Sequence, residues 1–248
     1  MSGLRIVREG PVLRVTLSRP ERRNAFDAAL IAELTAAFSD VGGARAVVLT
    51  GDGRSFCAGA DVEWQRSSIG LTYDENVEDA TRLLRMLETV NASPAPVVCG
   101  VHGYALGGGS GLVACCDAVV AAPDAVFGFT EVKLGIIPAA ISPFVRAKVG
   151  SAARRLFTTG ERFDAQTALR LGLVDEVAED LHAAVERVVR ELLTSGPVAA
   201  REAKRLVLEP PPRGELAHVA ARMRTSEEGQ EGLRAFLEKR PPEWRTER

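Results

Sequence analysis

The sequence predicts an α/β body over residues 1–190 followed by a helical tail over residues 191–248. Two observations carry that reading. Up to Val177, short apolar runs closed by glycine or proline turns alternate with amphipathic stretches of helical period, the pattern of parallel strands joined by crossover helices. After Val177 the strand signals stop, and helical stretches punctuated by proline fill the remainder.

Each element has its own local signal. Residues 4–17 are expected to form a hairpin, because Leu13, Val15 and Leu17 alternate with Arg14 and Thr16 while Glu9-Gly10-Pro11 supplies the turn. Asp27 is placed to cap a helix whose apolar positions, Leu30, Ile31, Leu34, Phe38 and Val41, follow the 3–4 spacing. The run Ala46–Thr50, closed by Gly51-Asp52-Gly53, suits a buried strand. A second amphipathic helix over residues 75–91 carries Val77, Ala80, Leu83, Leu84, Leu87 and Val90 on one face, and Pro94 and Pro96 end it. Val97–Val101 then reads as a buried strand running into a glycine loop at Gly107-Gly108-Gly109. In the tail, residues 181–193, 198–208, 216–223 and 233–237 read as helices.

Composition narrows the function classes. The 248 residues are 46% hydrophobic and 26% charged, enough for a substantial core. Thirty-one basic residues face 33 acidic ones, for a net charge of −2, so no global field draws the chain to nucleic acid or an anionic membrane. No apolar run approaches the ~20 residues that span a bilayer. The first ten residues carry Arg5, Arg8 and Glu9 where a secretory signal needs an apolar stretch. Cys57, Cys99, Cys115 and Cys116 lack C-x-x-C spacing and read as small core residues in a reducing compartment. The expected location is the cytoplasm, with no nucleic-acid or membrane partner.

Several familiar chemistries fail on spacing. Leu112 stands where a G-x-G-x-x-G dinucleotide loop requires its last glycine, and the same leucine breaks a nucleophile elbow on Ser110. No glycine loop ends in Gly-Lys-Ser/Thr. His102, His182 and His218 are too scattered to suggest metal ligands, and no metal is expected.

Two segments share a design. Phe56-Cys57-Ala58-Gly59-Ala60-Asp61 follows one buried strand, and Gly107-Gly108-Gly109 follows another and opens an apolar helix. Small residues let backbone N–H groups approach a ligand closely, and a helix N-terminus adds unpaired donors. Facing one another, such loops would form an oxyanion hole; spacing alone leaves open whether they meet.

The ordered set Ser55-Phe56-Cys57-Ala58-Gly59-Ala60-Asp61-Val62, Gly103-Tyr104-Ala105-Leu106-Gly107-Gly108-Gly109 and Phe127-Gly128-Phe129-Thr130-Glu131-Val132-Lys133-Leu134-Gly135-Ile136-Ile137-Pro138 resembles the enoyl-CoA hydratase/isomerase (crotonase) superfamily. Arg22-Arg23-Asn24-Ala25-Phe26, Leu171-Gly172-Leu173-Val174-Asp175 and Phe236-Leu237-Glu238-Lys239-Arg240 extend the resemblance over essentially the whole chain. It implies a crotonase-like spiral of ββα units with a helical C-terminal region that builds trimers, commonly paired into hexamers. It also implies that the N–H groups of Ala58 and Gly108 hold the thioester carbonyl and that Glu131 moves protons. Ala60 and Asp61 would lie beside the CoA moiety. The loop around Arg23 and Ala25 would hold its adenine and phosphates, and Phe236 and Lys239 would contact it from the tail. No separate cofactor is expected, since CoA is part of the substrate.

One position departs from the family pattern. Many of its hydratases carry a second glutamate three residues after the central glycine of the triple, and here that residue is Gly111. Its missing side chain is expected to leave room for substrate near Cβ. Together with Ile137-Pro138-Ala139-Ala140-Ile141-Ser142-Pro143, the glycine run resembles members acting on branched or carboxylated enoyl-CoAs such as 3-methylglutaconyl-CoA. The resemblance implies a hydratase; a Δ3–Δ2 enoyl-CoA isomerase and a non-catalytic acyl-CoA binder are the alternatives.

Overall fold

The computed structural model describes residues 2–245. Strands are β1 (Leu4–Glu9), β2 (Val12–Leu17), β3 (Ala46–Gly51), β4 (Val97–Val101), β5 (Tyr104–Leu106), β6 (Ala118–Ala121), β7 (Val126–Gly128), β8 (Arg162–Asp164) and β9 (Glu176–Val177). Helices are α1 (Ala28–Ser39), α2 (Val62–Ser67), α3 (Tyr73–Asn91), α4 (Gly108–Ala114), α5 (Ser142–Val149), α6 (Ala153–Thr159), α7 (Ala165–Leu171), α8 (Leu181–Thr194), α9 (Pro197–Leu208), α10 (Leu216–Thr225) and α11 (Glu227–Glu238).

A larger sheet runs β1-β2-β3-β4-β6-β9, antiparallel only between β1 and β2. All of β4 and the first four residues of β3 are buried and apolar because both faces are covered. In β3, Val47 and Leu49 join the core with α1 and α3, while Ala46 and Val48 face Ala184, Val185 and Val189 of α8. A smaller sheet, β5-β7-β8, receives the chain immediately after β4 and again after β6. The chain thus winds between two sheets in successive turns, which is the spiral expected from the sequence.

Asp27 caps α1 by accepting from the Leu30 N–H at 2.8 Å, and Leu30, Ile31, Leu34 and Phe38 are buried as the spacing predicts. The second predicted helix begins earlier, at Tyr73, where Thr72 and Glu75 make a capping box. Its buried face also differs. Met86, Leu87 and Val90 enter the core, whereas Val77 is 46% exposed and Ala80 and Leu83 line a cavity. Periodicity identified the apolar face without saying that half of it serves a cavity.

The residue-190 boundary falls inside α8, which packs along its length on the larger sheet. The elements beyond it are clasped to the body by polar contacts. The Arg45 guanidinium donates to Leu193 O and Trp244 O, both at 2.7 Å, and to Ser195 O at 2.8 Å. Lys204 pairs with Asp117 at 2.8 Å. Among the described residues no helix is long and apolar enough to cross a membrane.

Candidate active site

Pairing in the smaller sheet brings the two glycine loops together. Cys57 bridges Ala105 of β5, donating from its N–H to Tyr104 O at 2.9 Å and accepting from the Leu106 N–H at 3.0 Å. Past that bridge the loops run side by side, so closely that a Cβ on Gly59 would lie 2.8 Å from Leu106 O. Gly59 also adopts φ +95, a conformation that L side chains avoid. Buried Ser110 fixes the second loop, donating to Ala105 O at 2.6 Å and accepting from the Gly128 N–H at 3.3 Å.

This packing decides which amides are free. The Ala58 N–H donates to Arg23 O at 3.0 Å, so the expectation that Ala58 holds the carbonyl is corrected. The next candidate, Ala60, sits in a parallel bridge with Phe26 whose bonds run from the Phe26 N–H to Gly59 O and from the Asp61 N–H to Phe26 O. Its own N–H points the other way and has no partner among the described residues. The Gly108 N–H begins α4, where no side chain caps the helix. Ala60 and Gly108 both line one cavity of about 320 Å³. The sequence carried the right loop and placed the donor two residues too early, because alternation within the loop depends on its pairing with Phe26.

Glu131 faces these amides. It sits in a 3-10 turn, Thr130–Leu134, anchored by buried Phe129, whose ring packs on Phe157 and Phe163 at centroid distances of 5.3 and 5.9 Å. Gly107 adopts φ +52, which favours glycine, and a Cβ there would lie a tight 3.2 Å from Glu131 Oε1. Glu131 Oε2 is buried without a hydrogen-bond partner, and burial raises the carboxyl above its ordinary value of 4.5. A desolvated carboxyl with a free oxygen, aimed into a cavity, is equipped to exchange protons with a bound molecule.

Gly111 does not line the cavity. A Cβ there would lie 2.2 Å from Ile141 Cγ2 and 2.7 Å from Ile141 Cβ. The space expected beside Gly111 is therefore filled by Ile141, named in the sequence only as part of a motif, which lines the cavity itself. No sequence signal marked that partnership, since the two residues lie on different helical segments.

Asp61 is corrected as well. Only 4% exposed and absent from the cavity lining, it accepts from Arg22 Nη1 at 3.0 and 3.1 Å and from the Glu63 N–H at 2.9 Å, starting α2. Burial pushes its carboxyl up, but the Arg22 guanidinium and the amide outweigh this and hold it below the usual range. Asn24, noted only as part of a motif, is fully buried at φ +54 and ties its own loop to the turn at residues 52–55. Its Oδ1 accepts from the Arg19 N–H at 2.8 Å, and its Nδ2 donates to Asp52 O and Ser55 O at 2.9 and 2.8 Å. Arg23 is exposed beside it and Ala25 is buried. Phe236, 80% exposed, and Lys239 lie at the end of α11, and neither lines the cavity.

The model of the family described as enoyl-CoA hydratase/isomerase matches residues 8–247. The chain belongs to the enoyl-CoA hydratase/isomerase family. Its sequence is 33% identical over 261 residues to the 2,3-dehydroadipyl-CoA hydratase of Escherichia coli, covering 99% of each. The crystal structure of an enoyl-CoA hydratase from Shewanella pealeana superimposes with a TM-score of 0.91 at 38% identity, covering 98% of this chain and 96% of that one. Pseudomonas aeruginosa AtuE does so with a TM-score of 0.93 at 37% identity, covering 98% and 100%. Family membership supports hydratase activity, and the crotonase fold with its helical C-terminal region is common to this chain and these structures.

Proposed function

We propose that this chain hydrates the α,β double bond of an enoyl-CoA thioester at the cavity between the two glycine loops. The observation that carries the reading is the unpartnered pair of amides, Ala60 and Gly108, set across one cavity from a buried carboxyl with a free oxygen, Glu131. The thioester oxygen accepts from both N–H groups. As water attacks C3, the π electrons shift through C2 toward that oxygen, and the amides stabilise the enolate; one such donor contributes ~3 kcal/mol. Glu131 takes the proton that water loses and returns a proton to C2, so one water is added and the carboxyl is regenerated. Addition from a single face lets one carboxyl do both tasks.

Arg23 and the backbone at Ala25 are assigned to the adenine and phosphates of CoA, and Phe236 and Lys239 to the same moiety from the tail, on the family resemblance. Self-association to a trimer or hexamer is part of the reading, supported by the exposed apolar side chains of α9, α10 and α11. A cytoplasmic location is supported by four cysteines that are all free and buried. The finer substrate suggested by the sequence, 3-methylglutaconyl-CoA, joins a methyl branch to a terminal carboxylate. The apolar wall at Ile137 and Ile141 suits the branch, and the cavity offers no cation for the carboxylate.

The test is to mix the protein with crotonyl-CoA and follow the enoyl-thioester absorbance. Its loss, with 3-hydroxybutyryl-CoA as product, supports hydration. A persistent signal, with conversion of a 3-enoyl-CoA instead, favours the isomerase; binding without either reaction favours the non-catalytic reading.

A further inference from the structure

We propose that the part of the cavity walled by α2 and α3 selects a neutral acyl chain and rejects one that ends in a carboxylate, with Asp79 as the residue that sets the preference. The inference builds on the enoyl-CoA reading for its choice of thioester, while the charge preference is a property of the wall itself. Trp64 of α2 and Asp79 of α3 both line the cavity, and the Trp64 indole Nε1–H donates to Asp79 Oδ2 at 2.9 Å. The other carboxylate oxygen is engaged by Arg82. Arg82 itself is exposed and does not line the cavity.

The two donors in this wall best suited to a carboxylate, an indole N–H and a guanidinium, are thus both spent on Asp79. Among the described residues no lysine, arginine or histidine lines the cavity, and its two ionisable groups, Asp79 and Glu131, are both acids. Two neighbouring neutral donors are occupied as well, and the Gln65 amide that also lines the cavity carries no charge. The Ser68 hydroxyl donates to Gln65 O at 2.8 Å, and Asn76 Nδ2 donates to Leu71 O and Thr72 O at 3.2 and 2.9 Å. A carboxylate entering here would lose its water, gain no cation and face a like charge, each of which opposes binding. A neutral chain meets Leu83, Ile137 and Ile141 instead.

The experiment compares binding of two saturated thioesters of equal chain length, hexanoyl-CoA and adipyl-CoA, by calorimetry on the full chain. Nothing turns over, so the result does not depend on hydration. Adipyl-CoA is expected to bind at least about tenfold more weakly. Asp79→Asn keeps an acceptor for the Trp64 indole but removes the charge, and is expected to narrow the ratio to within about threefold through tighter adipyl-CoA binding. Asp79→Ala frees both donors and is expected to narrow it further. Equal affinities in the wild-type protein overturn the proposal, as does an unchanged ratio in a folded Asp79→Asn protein. If neither variant folds, the wild-type ratio alone decides whether the wall discriminates. A parallel assay of trans-2-hexenoyl-CoA hydration separates the two claims: no hydration with the ratio intact sinks the hydratase reading and leaves the charge preference standing.

Discussion

Ile141 occupies the space that any side chain at residue 111 would need: its Cγ2 lies 2.2 Å from the position of a Cβ on Gly111. The pair locks α4 against the segment that starts α5, deep in the body. Gly111→Ala is expected to destabilise the fold by about 1–3 kcal/mol through overpacking, seen as a lower melting temperature. Ile141→Ala in the same chain removes Cγ2 and should restore part of that loss. Simple additivity of the two single losses in a double-mutant cycle would refute the contact.

Glu131→Gln is expected to cut hydration by at least about 100-fold while leaving acyl-CoA binding nearly intact. The same variant makes a prediction about stability. Burial raises the folded carboxyl above 4.5, so its favourable contribution is complete below that pH and is lost as pH rises through the folded value. Glutamine does not titrate. The variant should therefore melt at a higher temperature than the wild type at pH 7, and the difference should shrink as pH falls toward 4.5. A gap independent of pH would mean that Glu131 is not desolvated in the native state.

Asn24 is a position where shape and charge can be separated. Asn24→Asp keeps the outline but aims a carboxylate at two carbonyl oxygens, Asp52 O and Ser55 O. A cost of at least about 2 kcal/mol is expected from two lost donors in a buried site. Denaturant titration checks it, and a change within error would show that the side chain rotates to new partners.

Lys239 caps α11 in the left-handed region, at φ 55. If it reaches a CoA phosphate, Lys239→Ala raises KM for an enoyl-CoA far more than for the matching pantetheine thioester. Lys239→Gly relaxes the backbone but removes the same ammonium, so it should show the same KM split. Equal effects on both thioesters would remove Lys239 from the CoA site.

The tail makes a prediction about assembly. Val207 is 79% exposed and Leu237 77%, and α9 and α10 flank an apolar groove that includes Leu206 and Met223. Light scattering should report a trimer or hexamer. A clean monomer at micromolar concentration would refute the assembly and any CoA site shared between subunits.

What the sequence disclosed and what it withheld divide along physical lines. Local rules sufficed for the β1–β2 hairpin, the Asp27 cap and the buried strands, because turn residues, caps and alternation act over a few positions. The glycine loops were visible as loops for the same reason. Which amide in them stays free was not, since Ala58 loses its N–H to Arg23, a residue 35 positions earlier, and Ala60 keeps its own only through the bridge to Phe26. Ile141 against Gly111 and Trp64 against Asp79 are likewise products of packing between segments. The exposed half of α3 was misread because a cavity wall and a core face share one periodicity.

The bridge between Cys57 and Ala105 has a consequence for how such a protein diversifies. The chain between the two paired loops, residues 62–101, runs through α2, α3 and β4, and α2 and α3 form part of the cavity wall. In the proposed reading the carbonyl-binding amides are set by sheet pairing outside this stretch, while Asp79 and its charge preference lie on it, with Ile137 and Ile141 completing the wall from a later segment. Residues 62–84 can be exchanged without breaking a single hydrogen bond of the Cys57–Ala105 bridge. In the proposed reading, charge selectivity and carbonyl activation therefore rest on different stretches of one chain.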